Sequence, residues 1–283
     1  MTVAQWKAQC AARLTEAGLV GSPSLDARLL IEMVTGLDQA HQLMSHDRRL
    51  SGEEIGVLDQ LEKRRLAHQP MAYIRGKKEF FGREFIVDER VLIPRADTEV
   101  LVETVLAYAN TQPQESLLPI IDVCTGSGAI GITLALELGT EVTLSDKSAL
   151  ALDVAKENVR RLIGRPLPLV EDDLLLNSKN KYGIIVSNPP YLTPSWIDEV
   201  AREVGWEPRM ALDGRSEDGL ALVRRLIEQS QSRLKDSGAL FIECDYRQTD
   251  AVSSLLRQAS FTDIQVVRDL GGHERVVWGR LHE

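Results

Sequence analysis

Apolar positions change their spacing twice along this 283-residue chain. Up to about residue 70 they recur at helical intervals, and polar residues mark the helix starts. Thr2 with Gln5, and Ser51 with Glu54, are spaced as capping boxes, in which a hydroxyl and a returning side chain satisfy the free amides of a first turn. Ser22-Pro23 fits a cap followed by proline, and Gly36 is placed to close that helix after Leu29, Leu30, Met33 and Val34. Residues 1–72 are therefore expected to form a small helical domain. Between Pro70 and Glu99 the period shortens. Phe80-Phe81, Gly82 and Phe85-Ile86-Val87 predict a hairpin, with Val91-Leu92-Ile93 leading into Pro94, so residues 73–97 are read as a β-hairpin linker. Over residues 98–283, apolar strands (119–123, 141–145, 167–171, 183–187, 238–243) alternate with helices (129–138, 148–162, 217–235, 247–259). That alternation predicts an α/β domain whose mostly parallel sheet is covered by helices on both faces. Two strand-like runs, 261–267 and 274–279, flank Leu270-Gly271-Gly272 and should end the sheet as an antiparallel pair.

Composition narrows the class without changing this picture. The chain is 43% hydrophobic and 27% charged, with no run near the ~18 apolar residues of a membrane span. Met1 to Cys10 lack a basic start and an apolar core, so no secretory signal is read and a cytoplasmic location is expected. Cys10, Cys124 and Cys244 are odd in number and far apart, and the histidines (His41, His46, His68, His273, His282) lack ligand spacing, so neither a disulfide framework nor a metal centre is expected. The net charge of −9 is spread as a neutral stretch to residue 75 and acidic stretches beyond it. No segment is basic enough to neutralise many phosphates, which argues against duplex DNA as the main partner and against stable nucleic-acid binding.

Candidate chemistry begins where Ile120-Ile121-Asp122-Val123 runs into Cys124-Thr125-Gly126-Ser127-Gly128-Ala129-Ile130-Gly131. Glycines let a backbone approach a ligand closely, and the helix start beyond them favours polar or anionic groups. The same letters fit the G-x-G-x-x-G pattern of dinucleotide folds, and Asp146, ending the next strand, suits a ribose in either case. The loop alone leaves a dinucleotide and S-adenosylmethionine open. Asp122 favours the second: a carboxylate there would repel a pyrophosphate, yet could hold the ammonium of a methionine moiety. Its other reading is a cap for loop amides. In Glu171-Asp172-Asp173, Asp173 is the choice to meet an adenine amino group, the alternative being a solvated turn.

The strand Gly183-Ile184-Ile185-Val186-Ser187 delivers Asn188-Pro189-Pro190-Tyr191 at its carboxyl end, where open α/β sheets bind ligands. Consecutive prolines fix φ, donate no amide hydrogens and disfavour helix in the residue before each. The carbonyls of Asn188 and Pro189 are thus expected to stand as acceptors beside the Asn188 side-chain oxygen. An amide nitrogen is a poor nucleophile because its lone pair is delocalised. Two acceptors holding its N–H groups would aim that pair at a methyl carbon, and Tyr191 could pack against the planar group. The motif selects planar nitrogens generally, so a glutamine amide and an adenine amine both fit.

With these features the chain resembles the HemK-type protein-(glutamine-N5) methyltransferases. Beyond the glycine loop and Asn188–Tyr191, the resemblance includes Ile93-Pro94-Arg95-Ala96-Asp97-Thr98-Glu99, Trp206-Glu207-Pro208 to Ala211-Leu212 with Asp218-Gly219, and Arg268-Asp269 to Glu274-Arg275. It implies a Rossmann-like class I methyltransferase domain with a helical N-terminal domain that docks the substrate. It further implies methyl transfer from S-adenosylmethionine to the glutamine of the Gly-Gly-Gln motif in class 1 peptide-chain release factors. Carried over residue by residue, the cofactor loop is Cys124, Thr125, Gly126, Ser127 and Gly128, the ribose ligand Asp146, the adenine neighbours Asp173 and Leu174, and the glutamine-binding motif Asn188 to Tyr191. Four positions depart from the pattern. Cys124 stands where glycine is usual, which requires φ to be negative there; Ala96 replaces a proline, Trp206 a phenylalanine, and Glu243-Cys244-Asp245 lacks a glycine. Competing classes are an adenine-N6 DNA methyltransferase, which would need to flip its base, a dinucleotide oxidoreductase, and a non-catalytic binder of translation factors.

Overall fold

The computed structural model describes residues 1–19 and 21–282, and its contacts divide the chain into two units: 1–76 with 201–206, and 77–200 with 207–283. The hairpin read as a separate linker thus groups with the second unit, while a short later segment joins the first.

The first unit is built from α1 (Val3–Glu16), α2 (Pro23–Thr35), α3 (Gln39–Met44), α4 (Gly52–Leu66) and α5 (Met71–Arg75). Both expected capping boxes form: Gln5 N and Thr2 Oγ1 are 3.2 Å apart, Glu54 N and Ser51 Oγ 3.1 Å, with each return bond also made. Ser22 caps α2, and Gly36 ends it in the left-handed region at φ 71°. Trp6, Leu14, Leu30, Ile31, Leu58 and Ile74 form its core. Arg65 is buried among them because it is fully paired, donating to Asp26 Oδ2 at 2.7 Å, Glu203 Oε1 at 2.8 Å and the Gln69 carbonyl at 3.1 Å. A buried guanidinium persists only with such partners.

The second unit opens with the hairpin of β1 (Lys77–Phe80) and β2 (Arg83–Ile86). Phe81 and Gly82 both have positive φ (50° and 69°), the backbone of a two-residue turn that matches strand twist. Then follow α6 (Glu99–Ala109), α7 (Gln114–Leu117), β3 (Ile120–Val123), α8 (Ala129–Glu137), β4 (Val142–Asp146), α9 (Ala149–Leu162), β5 (Leu169–Glu171) and β6 (Tyr182–Ser187). The chain finishes with α10 (Pro194–Glu199), α11 (Ala221–Arg233), β7 (Leu234–Glu243), α12 (Thr249–Gln258), β8 (Phe261–Arg268) and β9 (Glu274–Leu281). The helix expected over 217–235 is shorter at both ends. Gly219 is left-handed at φ 71° and Asp218 Oδ1 accepts from Leu220 N at 3.1 Å, fixing a turn, while Leu234 already belongs to β7.

Seven strands lie in the order β5-β4-β3-β6-β7-β9-β8, parallel from β5 to β7 and antiparallel at β9 and β8, as the pattern predicted. Alternation along each strand feeds two cores. Ile120, Leu144, Val186 and Phe241 pack on one side and Ile121, Val123, Ile185 and Leu240 on the other. On the first side Tyr108, Phe241 and Trp278 meet with centroids 5.2–5.4 Å apart. The chain enters the sheet at β3, winds outward through β4 and β5, then returns to the other side of β3 with β6. The order therefore reverses between β3 and β6, where the two carboxyl-terminal loops diverge and leave a crevice.

Candidate active site

That crevice is an open cleft, lined by residues of the loops after β3, β4, β5 and β6. Of the residues singled out from sequence, Cys124, Gly126, Asp146, Asp173, Leu174, Asn188 and Pro190 line it. The loop after β3 supplies one wall and the loop after β6 the opposite one.

The glycine loop is shaped by contacts beneath it. Gly126 (φ 54°) has open space where a Cβ would sit, so its backbone faces the cleft unobstructed. At Gly128 (φ 83°) a Cβ would lie 2.7 Å from Ile132 Cδ1, and at Gly131 2.2 Å from Leu144 Cδ2. Those two glycines serve helix packing, and the first leaves the loop backbone open to the cleft. Asp146 ends β4 with each carboxylate oxygen accepting one backbone amide, from Gly126 at 2.9 Å and from Ser148 at 2.9 Å. Each oxygen keeps a lone pair for a further donor, such as a ribose hydroxyl. Burial raises its pKa, opposed by those amide bonds.

Asp122 is placed differently from its sequence reading as an ammonium ligand. It is fully buried under the loop, with Oδ2 accepting from Thr125 Oγ1 at 2.6 Å and Gly131 N at 2.9 Å, and it does not line the cleft. What the geometry displays is a tie between the loop hydroxyl of Thr125 and a first-turn amide of α8, and burial pushes the Asp122 pKa up to about 7. Thr125, Ser127 and Gly128 likewise support the loop from outside the cleft. Cys124 lines the cleft but takes φ 61°, contrary to the requirement for a negative value. The backbone there follows the loop's glycine-like path and forces a Cβ into the left-handed region. Burial raises the thiol's pKa further above its usual value, so it is neutral.

Where the sequence reading placed an adenine neighbour, Asp173 pairs with Lys147 Nζ at 2.9 Å and with Arg225 at 3.3 Å, and the Lys147 bond lowers its pKa. Asp172 also lines the cleft, but its oxygens are spent on the amides of Asn177 and Ser178, each at 3.1 Å. Leu174 adds an apolar wall.

Across the cleft, Asn188 donates from Nδ2 to Thr98 Oγ1 at 3.3 Å, which leaves its side-chain oxygen as an uncommitted acceptor. Pro190 lines the cleft, whereas Pro189 and Tyr191 do not. The Tyr191 carbonyl is held by Gln248 Nε2 at 2.9 Å, which also donates to the Asp218 carbonyl at 2.8 Å. Gly219 packs so close that a Cβ would lie 2.1 Å from the Tyr191 carbonyl oxygen. The Tyr191 phenol has its pKa raised by burial and then by Glu243, with Arg275 opposing. The sequence reading had this ring pack against the planar group, whereas Tyr191 is not among the residues that line the cleft.

Of the other segments quoted for the resemblance, Pro208 and Ala211 line the cleft, while Glu207 and Arg275 tie separate segments together. Glu207 accepts from Ile93 N at 3.0 Å and pairs with Arg95, joining the segment before α6 to the one after α10. Arg275 bridges Asp269 at 2.9 Å and Asp97 at 3.2 Å. Sequence reasoning gave no role to Arg90, Met210, Arg215 or Leu222, which also line the cleft, nor to Thr98 and Gln248 behind Asn188–Tyr191. Only the spacing of the quoted motifs could have flagged Thr98. Nothing local marks Gln248.

Known proteins carry the same architecture. Residues 5–76 match the family model of the PrmC N-terminal domain, and residues 97–204 that of the methyltransferase small domain. The chain is 40% identical over 264 residues to the release factor glutamine methyltransferase of Bordetella pertussis, covering 92% of this chain and 96% of that protein. It is 33% identical over 285 residues to the bifunctional methyltransferase of Rickettsia bellii, matching 91% of this chain but only 51% of that longer protein. A methyltransferase from Pyrococcus furiosus shares the fold with a TM-score of 0.52 at 14% identity, over 80% of this chain and 100% of that one.

Proposed function

The chain belongs to the family of release factor glutamine methyltransferases, and on that premise we propose that it methylates N5 of the Gly-Gly-Gln glutamine in class 1 peptide-chain release factors. The observation that carries this reading is the uncommitted side-chain oxygen of Asn188, a residue that lines the switch-point cleft together with Cys124 and Gly126 of the glycine loop.

The cleft suits S-adenosylmethionine on the evidence of its own donors and acceptors. Asp146 retains lone pairs for ribose hydroxyls, Gly126 offers close backbone approach, and Leu174 with Asp173 suits a flat base bearing an amino group. Bound there, the cofactor supplies an electrophilic methyl carbon. The protein's part is to present the nucleophile. Asn188 Oδ1 accepts one N–H of the substrate amide, which turns the nitrogen lone pair toward the methyl group; the Pro189 carbonyl, on a residue that does not itself line the cleft, is assigned the second N–H. Pro190 closes the wall beside them. Accepting both hydrogens also favours the pyramidal, partly positive nitrogen of the transition state over the planar ground state. No strong base is needed to form the bond, because the proton on the methylated nitrogen is acidic enough to pass to water. Tyr191 acts here through its carbonyl, anchored by Gln248, and only indirectly through its ring.

The helical unit of residues 1–76 is assigned to docking the release factor, leaving the second unit for chemistry. None of the described helices is long and apolar enough to cross a membrane. Incubation with labelled S-adenosylmethionine tests the reading directly, using three acceptors: release factor, the same factor with its Gly-Gly-Gln glutamine replaced, and DNA. Label is expected on the intact factor alone. Label on DNA, or equal label on both proteins, would overturn it.

A further inference from the structure

Beyond the assignment of Asn188 itself, we infer that Thr98 and Glu243 form a buried relay that fixes which way round the Asn188 amide sits, acting as positioning residues for methyl transfer. The inference rests on the role of Asn188 proposed above. An asparagine amide turned by 180° exchanges its acceptor for a donor with almost no change of shape. Turned the wrong way, Asn188 would point N–H at the substrate's N–H, and the substrate amide could not be held.

The geometry supplies a device that forbids this. Ser187 pairs with Ile242 across β6 and β7, so Asn188 and Glu243 leave adjacent strands side by side. Glu243 is only 2% exposed and Thr98 only 4%. Thr98 Oγ1 donates to Glu243 Oε1 at 3.2 Å and accepts from Asn188 Nδ2 at 3.3 Å. A hydroxyl has one proton. Having given it to the carboxylate, Thr98 has only lone pairs left for Asn188, which must therefore present its NH2 inward and its oxygen to the cleft. Thr98 stands at the start of α6, but its hydroxyl caps no helix amide. Its side-chain bonds to Glu243 and Asn188 thus have no helix-capping duty to explain them. Glu243 Oε2 is buried with no hydrogen-bond partner, a costly arrangement for a residue whose only task is packing.

The charge state of Glu243 decides whether the device works. Burial pushes its pKa up to about 7, Thr98, Arg275 and Asn188 pull it down, and Asp97 pushes it up. Tyr191 and Cys244 also face it. As a carboxylate it can only accept. Once protonated it can itself donate to Thr98, whose proton is then free for Asn188 Oδ1, and the inverted amide becomes available. Turnover should accordingly rise with pH through about 7.

The test uses the full chain, S-adenosylmethionine and intact release factor, with cofactor affinity measured separately by calorimetry. Thr98→Val should lower kcat by about tenfold to a hundredfold, the range expected when a charge-linked hydrogen bond is lost. Its cofactor Kd should stay within about twofold, and Thr98→Ser should regain most of the rate because it restores the hydroxyl. Glu243→Gln, nearly isosteric, covers the case in which Thr98→Val fails to fold. Its amide can donate at any pH, so kcat should be low and the acid limb absent. Wild-type kcat in Thr98→Val, or a Thr98→Ser as slow as Thr98→Val, would overturn the relay. So would an unchanged acid limb in Glu243→Gln, which would assign the titration to another group, Asp122 being the other buried carboxyl raised to about 7. If the wild-type chain methylates no Gly-Gly-Gln glutamine, the functional reading fails; if it does and Thr98→Val matches it, the relay alone fails.

Discussion

Alanine and glycine at position 124 should reverse their usual stability order. At an ordinary position glycine is the less stable of the two by about 0.4–1 kcal/mol, because it leaves the unfolded chain more freedom to lose. Cys124, however, has φ 61°, and a Cβ in that region costs about 1–2 kcal/mol. Alanine keeps this strain and glycine releases it. The sulfur packs partly against the second core cluster, but both variants lose it, so its contribution cancels between them. The balance favours Cys124→Gly over Cys124→Ala by about 1 kcal/mol, or about 2–4 °C in Tm for a unit of this size. Thermal and urea unfolding of the pair measure it. Since the residue lines the cleft, Cys124→Gly should also bind S-adenosylmethionine at least as tightly as wild type, by calorimetry. An alanine variant as stable as the glycine one would show that the loop relaxes to negative φ, and the strain argument would be wrong.

Other consequences follow from the same geometry. Asn188→Ala should abolish turnover while leaving cofactor Kd within about tenfold, because its acceptor acts on the transition state; a loss of several hundredfold in binding would make Asn188 structural. Asp146→Asn replaces one of two amide-accepting oxygens by a donor, so either Gly126 N or Ser148 N loses its partner. Cofactor affinity should fall at least about tenfold, one lost bond to a charged group, and binding within threefold would remove Asp146 from the site. Glu243 contributes to stability with a definite sign. Its folded pKa of about 7 lies above its ordinary 4.5, so the folded state holds the proton more tightly and wild type loses stability as pH rises between those values. Glu243→Gln lacks that slope, and denaturant unfolding at pH 5 and pH 8 should show its stability relative to wild type improving with pH; parallel curves would refute the burial argument.

Much of the fold was legible because its determinants are local. Helix caps at Thr2, Ser22 and Ser51, the Phe81-Gly82 turn, and the strand–helix alternation each depend on residues within a few positions of one another, so their hydrogen bonds could be written down from the letters. The glycine loop and Asn188–Tyr191 were legible for a related reason, since each is a short run with unusual backbone demands at a strand end. What the chain alone determined was therefore the elements and the two loops that face each other. Only the tertiary structure decided what each carboxylate does. Asp122 and Asp146 lie near the carboxyl ends of neighbouring strands and read alike as ligands, yet one is sealed beneath the loop by Thr125 and Gly131 while the other reaches the cleft. The backbone sign at Cys124 was likewise hidden, because φ there is imposed by the loop around it. Thr98, 90 residues before Asn188, and Gln248, 57 residues after Tyr191, meet their partners only through packing. A hydrogen bond has no sequence signature when the two strands and the helix that bring its ends together are set by the burial of everything between them.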